Sequence, residues 1–288
     1  MPAAKVTVTT LAALKARGEK AVFLTAYDYA TAAYADRAGA DLILVGDSAA
    51  MTMMGLPNTL SIGMTEMLVF ARSVSRGVKR GFVIGDLPFL SYQPSDEAAV
   101  RSAGAFVGRA GCDAVKCEGG RPVVRRVRAM VSAGIAVMGH LGLTPQSLAQ
   151  LGGYRVQGRS LDAARRLADD AQALEEAGAF AILIEAVPAE TAAFVREQIT
   201  IPLYGIGAGP QVDGQLVISH DLLGNFVGDI APRFVKRYAE VGQAIERAFR
   251  AYAEDVRSGQ FPGPEHCYSI DPANEAEIRF ARLNGAHV

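Results

Sequence analysis

Short apolar runs return along this chain at intervals filled by helix-length amphipathic stretches, and that alternation leaves few folds open. Runs of about five residues fall at 21–25, 41–45, 81–85, 113–117, 135–139, 180–185 and 201–205, with a less regular eighth at 214–219. They are close to continuously apolar, as strands covered on both faces of a parallel sheet are. Between them, 28–38, 65–76, 95–110, 122–133, 160–177 and 189–198 carry helical spacing. In 160–177, Leu161, Ala164, Leu167, Ala168, Ala171 and Leu174 share one side, and the charged residues fall mostly elsewhere. Most of these helices close on Ala-Gly and then enter a strand, as in Ala38-Gly39-Ala40-Asp41 and Ala110-Gly111-Cys112-Asp113. A glycine past a helix end, repeated in this way, marks successive βα units.

Eight such strands predict an α/β chain folded as a (β/α)8 TIM barrel. An open doubly wound sheet gathers its site at one switch point, whereas here polar residues of catalytic type follow five consecutive strands. A barrel needs about 250 residues. The 288 present accommodate a single barrel domain over 1–288, with its core at about 19–230 and a C-terminal helix and tail at 231–288. A short N-terminal helix is expected at 9–17, capped by Thr9 or Thr10. A long helix is expected at 232–257, with Phe234, Val235, Tyr238, Val241, Ile245, Phe249 and Tyr252 on one face. The tail from Ser258, with three glycines, three prolines and few apolar residues, is expected to wrap a surface or a neighbouring subunit.

Composition removes several classes of function. Half the residues are hydrophobic, a fifth are charged, and the net charge is −1. There is no electrostatic case for nucleic acid or an anionic membrane. No run approaches the roughly 18 apolar residues of a membrane span, and the N-terminus has no secretory apolar core. Cys112, Cys117 and Cys267 make an odd set without a CxxC, which speaks against a disulfide framework or a thiolate zinc site and for a reducing cytoplasm.

The strand ends carry the chemistry. Asp47, Asp86 and Glu118 follow the second, third and fourth strands. A single acid after a strand commonly caps the next helix. Three on adjacent strands, converging at one barrel mouth, would repel one another unless a hard cation such as Mg²⁺ sat among them. Lys116 and Glu118 are two apart and share a strand face, so a lysine able to bind a carboxylate or stabilise an enolate accompanies the acid. His140 follows the fifth strand and is expected to hydrogen-bond a substrate oxygen. Glu185 ends the run Ala179-Phe180-Ala181-Ile182-Leu183-Ile184, where partial desolvation suits a general base. Ser48 adds a hydroxyl beside Asp47. Cys117 alternates away from Lys116 and Glu118 and is expected to be buried. The glycine turn 205–209 either cradles an anion or permits close packing, and the loop 152–159, with Arg155 and Arg159, is expected to act as a lid.

Together these segments resemble the ketopantoate hydroxymethyltransferase family from about Thr25 to His266. The resemblance rests on TAYDY (25–29), LVGDS (44–48), GDLPF (85–89), VKCEGG (115–120), GHLGLTPQS (139–147), GGYRVQGR (152–159), IPLYGIGAG (201–209), DGQLVISHDLLG (213–224) and FPGPEH (261–266). It implies a barrel related to the phosphoenolpyruvate mutase and isocitrate lyase enzymes. It also implies a Mg²⁺-dependent transfer of a one-carbon unit from 5,10-methylenetetrahydrofolate to 3-methyl-2-oxobutanoate, in pantothenate biosynthesis, and homo-oligomers that are often decamers. Carried onto this sequence, its metal-binding carboxylates are Asp47, Asp86 and Glu118. Its substrate contacts are Asp47, Ser48, Asp86 and Lys116, and its proton acceptor is Glu185. The chain departs from the family's usual pattern in the loop 55–63 and at Val69-Phe70, where the family usually has Tyr-His. Two rival readings therefore stand beside this one: a Mg²⁺-dependent lyase or aldolase on another α-keto acid, and a barrel that binds or assembles without turnover.

Overall fold

In the computed structural model, which describes residues 4–228, 232–283 and 285, eight parallel strands close into a barrel in sequence order. They are β1 (Ala21–Thr25), β2 (Leu42–Val45), β3 (Phe82–Asp86), β4 (Ala114–Glu118), β5 (Val137–Gly142), β6 (Ala181–Glu185), β7 (Leu203–Ile206) and β8 (Gly214–Val217). Each pairs with the next, and β8 pairs with β1, so no sheet edge is left open. The expected strands are all present, with ends displaced by up to three residues.

The period of two sorts each strand between two cores. Phe23, Leu42, Leu44, Phe82, Ile84, Ala114, Met138, Ala181, Leu183, Tyr204 and Leu216 fill the barrel interior. Ile43, Val45, Val83, Val115, Cys117, Val137, Ile182 and Ile184 pack outward against the helices. That outer layer is built by the amphipathic helices Tyr29–Arg37, Met64–Gly77, Asp96–Ala110, Val124–Ser132, Leu161–Glu176 and Ala189–Glu197. Their starts follow capping chemistry: Asp28, Ser95 and Ser160 accept the backbone N–H of Thr31, Ala98 and Ala163.

The N-terminal helix is Val8–Ala16, and Thr7 rather than Thr9 or Thr10 is its cap, in a reciprocal box with Thr10. Three threonines within four residues leave the sequence ambiguous, and the extended backbone of Thr7 decides it. Val6 and Leu11 join the interior core. Val6 N–H bonds the Arg80 carbonyl and Lys15 Nζ the Ile201 carbonyl. Those partners precede β3 and β7, so the helix seals the end of the barrel where strands begin.

The chain divides into two compact units, Met1–Ala239 and Glu240–Val288. The expected helix at 232–257 starts only at Val241 and runs to Ser258; residues 229–231 lie outside the described residues. Within the described part of 232–240 the backbone is non-helical. Tyr238 N–H is instead tied to the Leu222 carbonyl, a tertiary bond that helical spacing does not register. The tail carries a helix that its composition did not announce, Pro272–Leu283, with proline in its first turn. Among the described residues no helix is long and apolar enough to cross a membrane.

Candidate active site

The alternation that fills the barrel also delivers its polar residues. On β3, Phe82 and Ile84 point inward and Asp86 follows in phase. On β4, Ala114 is followed by Lys116 and Glu118, on β5 Met138 by His140, and on β6 Ala181 and Leu183 by Glu185. Asp47 and Ser48 lie just past the end of β2. All seven residues expected at the site line one cavity of about 660 Å³. Cys117 is buried in the outer core, as its phase requires.

Lys116 is the hub. Its ammonium lies 2.8 Å from Asp86 Oδ1, 3.5 Å from Glu118 Oε1 and 3.1 Å from His140 Nδ1. Burial alone would lower the pKa of this ammonium. Asp86, Glu118 and Asp47 outweigh burial and hold it above the ordinary lysine value, so Lys116 is a fixed cation. An ammonium only donates, so His140 Nδ1 accepts and the ring proton sits on Nε2, 3.2 Å from Glu185 Oε2. Burial, with the adjacent Lys116 charge, pushes the imidazole down to about 4, and His140 is neutral near pH 7. Glu185 retains 17% side-chain exposure against 2% for Glu118 and Asp86, so it is more open to the cavity than those two carboxylates.

The three remaining acids are closed in. Burial raises Asp47 to about 6, helped by Glu118. Burial pushes Asp86 well up, with Lys116 opposing, and it raises Glu118. Asp47 N–H donates to Asp86 Oδ2 at 3.1 Å. Asp86 Oδ1 and Glu118 Oε1 are buried and accept no well-directed hydrogen bond. Three buried carboxylates thus face one ammonium and a neutral imidazole. That surplus of negative charge fits a hard divalent cation. Among the described residues, no three His, Cys, Asp or Glu side chains close on one point as a full direct ligand set. Carboxylate oxygens alone suit Mg²⁺, which keeps several of its waters or exchanges them for substrate oxygens.

The surroundings shape the rest of the cavity. Ser48 Oγ is held 2.8 Å from Tyr27 Oη. The loop expected as a lid contributes Tyr154, Arg155 and Val156 to the wall, with Tyr154 Oη 3.8 Å from Met51 Sδ. In the 205–209 turn, a Cβ on Gly207 (φ +63°) would stand 2.6 Å from the Phe234 ring, so close packing accounts for that glycine. Gly142 pairs laterally with Glu185 at φ +87°, and a Cβ there would lie 2.3 Å from the Glu185 carbonyl oxygen. Only glycine lets β5 and β6 approach this closely at Glu185.

Two buried residues near the acids escaped the sequence reading. Gln146 lies in the quoted segment GHLGLTPQS, yet it sits in a 3-10 turn, Pro145–Ser147, and strand phase says nothing of a turn residue. Tyr92 lies in an irregular stretch after β3 and is fully buried.

Residues 5–264 match the family described as ketopantoate hydroxymethyltransferase. The chain belongs to that family. It is 51% identical over 281 residues to the 3-methyl-2-oxobutanoate hydroxymethyltransferase of Syntrophobacter fumaroxidans, covering 98% of this chain and 97% of the relative. It is 50% identical over 264 residues to the protein of the same name from Moorella thermoacetica, covering 92% and 98%. Among solved structures, a phosphonopyruvate hydrolase in complex with oxalate and Mg²⁺ superposes with a TM-score of 0.59 at 18% identity, covering 97% of this chain and 98% of the other. A 2,3-dimethylmalate lyase of the PEP mutase/isocitrate lyase superfamily gives 0.57 at 19% identity, covering 99% and 100%. These two likenesses establish the shared fold. The full-length relatives carry the family.

Proposed function

We propose that this protein is a 3-methyl-2-oxobutanoate hydroxymethyltransferase. It joins the methylene carbon of 5,10-methylenetetrahydrofolate to C3 of 3-methyl-2-oxobutanoate and, with water, yields ketopantoate and tetrahydrofolate. The observation that carries the reading is the continuous contact from Asp86 through Lys116 and His140 to Glu185, in the cavity of a chain about half identical to enzymes of that name.

The reaction needs a carbon acid deprotonated next to a ketone, the resulting charge stabilised, and an electrophilic carbon held nearby. Asp47, Asp86 and Glu118 are the residues that would hold Mg²⁺. When bound, the ion acts as a Lewis acid on the keto acid's oxygens and makes the C3–H bond more acidic. Lys116, a permanent cation at the same place, attracts the substrate carboxylate and offsets charge developing on the carbonyl oxygen. The Ser48 hydroxyl, held by Tyr27, orients the acid end of the substrate. Glu185 takes the proton from C3. His140 places Nε2 3.2 Å from Glu185 Oε2, beside that carboxylate.

The cavity volume exceeds a five-carbon keto acid several-fold and falls in the range of sites for larger ligands. The surplus, lined by Met51, Tyr154, Val156, Phe226 and Phe234, suits the flat ring system of a reduced folate. The test is formation of ketopantoate from 3-methyl-2-oxobutanoate and Mg²⁺, with and without methylenetetrahydrofolate. Product only when folate is present supports the reading. Turnover of a keto acid at the same rate without folate overturns it in favour of a lyase.

A further inference from the structure

Asp47 and Glu118 stand on either side of β3, and one buried residue outside the strands touches both. The Gln146 side-chain nitrogen donates to Asp47 Oδ2 at 2.9 Å and to the Leu87 carbonyl at 2.9 Å. Its backbone N–H donates to Glu118 Oε2 at 2.9 Å. Its side-chain oxygen accepts from Gln93 Nε2 at 3.1 Å and lies 2.9 Å from Tyr92 Oη, whose single proton it shares with the Glu118 carbonyl, also at 2.9 Å. Both amide protons and both lone pairs are therefore used, at a residue only 6% exposed. The Leu87 carbonyl can only accept, so the NH2 end of the amide is the end facing Asp47. Tyr92 closes the frame by accepting the Glu118 backbone N–H at 3.0 Å.

The consequence for the acids is specific. Each gives one oxygen to Gln146, Oδ2 of Asp47 and Oε2 of Glu118, and is left with the other. In Glu118 that other oxygen, Oε1, is buried and without a well-directed donor. A neutral amide is suited to this task. It fixes two carboxylates without cancelling their charge, as a lysine or arginine in its place would, and without adding a third negative group, as a glutamate would.

We infer that Gln146 is the positioning residue of the cation site, holding Asp47 and Glu118 at one oxygen each so that their remaining oxygens stay turned to the ion or its waters. Partners of this kind around metal ligands commonly change affinity by about 10- to 100-fold when removed. The inference rests on the Mg²⁺ reading given above, and its test separates the two.

The measurement is the dissociation constant of Mn²⁺, a spectroscopic stand-in for Mg²⁺, by electron paramagnetic resonance, with Mg²⁺ by calorimetry as a check. Both are taken without substrate and well below each variant's melting temperature. Gln146→Met keeps the length and the backbone N–H to Glu118 but loses the amide, and an increase in Kd of about 10-fold or more is expected. Tyr92→Phe removes the hydroxyl that anchors the amide oxygen and the Glu118 N–H, and a smaller increase of the same sign is expected. If both variants melt earlier but bind Mn²⁺ within twofold of the parent, Gln146 is only packing and the inference is overturned. If Gln146→Met does not fold, Tyr92→Phe decides alone by the same twofold criterion. A parent protein that binds neither ion removes the metal reading and this inference with it; a parent that binds beside unchanged variants removes only the inference.

Discussion

At the scale of single residues, the site separates groups by what they can still do when buried. Lys116 is locked as a cation and His140 as a neutral ring, so neither exchanges protons near neutrality. Glu185 is more open to the cavity than Asp86 and Glu118. Glu185→Gln is expected to leave keto acid and Mg²⁺ binding nearly intact and to slow exchange of the C3 proton into D2O by about 10²- to 10⁴-fold, as loss of a general base does. Proton NMR of 3-methyl-2-oxobutanoate with the variant checks it; exchange at the parent rate moves the base elsewhere. The residues readable from sequence were those in strand phase. Asp86, Lys116, Glu118, His140 and Glu185 each follow an apolar run by a count that period two makes meaningful. Gln146 and Tyr92 were not readable, because their importance lies in hydrogen bonds between turns far apart in sequence.

At the scale of elements, βα repetition made the strands legible to within three residues, while helix ends depended on details that sequence blurs. Thr7 rather than Thr9 or Thr10 caps the first helix, and the helix expected from residue 232 begins at Val241. That first helix also gives a clean separation of stability from catalysis. Leu11 is 1% exposed in the interior core at the end of the barrel away from the site. Leu11→Ala is expected to cost about 2–5 kcal/mol of unfolding free energy with kcat unchanged at temperatures where the variant is folded, read by chemical denaturation beside the assay. The end of β6 offers the converse case. Ala186, directly after Glu185, has φ +48°, a left-handed conformation that a β-branched residue rarely adopts. Ala186→Val is expected to lose about 2 kcal/mol or more and to displace Glu185, lowering kcat as well. Ala186→Gly, free of that restriction, should stay within about 1 kcal/mol of the parent. Thermal melts and kcat of the two variants together check the assignment of strain.

At the scale of the whole molecule, the cluster of acids ties stability to pH and to metal. Asp47 titrates near 6 rather than in the ordinary carboxylate range. Between those values the native protein keeps a proton that the unfolded chain has lost, so this group makes metal-free protein less stable as pH rises. His140, near 4 instead of 6.5, acts the other way over its own window, since there the unfolded chain carries the extra proton. A cation that replaces the proton among the acids relieves the first effect. Mg²⁺ at about 100 times its Kd is expected to add about 2.7 kcal/mol to stability near pH 7.5. The increment should shrink toward pH 5, where the ion must displace protons. Melting curves with Mg²⁺ and with a chelator at the two pH values check this, and an increment that grows on acidification contradicts it.

The two-core sorting of the strands has a consequence for how such a site can change. In β4, Lys116 and Glu118 face the lumen and Cys117 faces the helices. Deleting one residue ahead of them in that strand would invert the assignment, presenting a thiol to the substrate and driving a lysine and a glutamate into a greasy layer that has no place for them. Adding two residues to the parent strand instead would keep the facing but lift the charged pair about 6.6 Å along the strand, out of reach of Asp86 and His140. The strands of this enzyme therefore behave as a ruler: a shift of one or two residues in β4 breaks the contacts among Lys116, Glu118, Asp86 and His140, whereas the loops at the barrel's open end carry no such count.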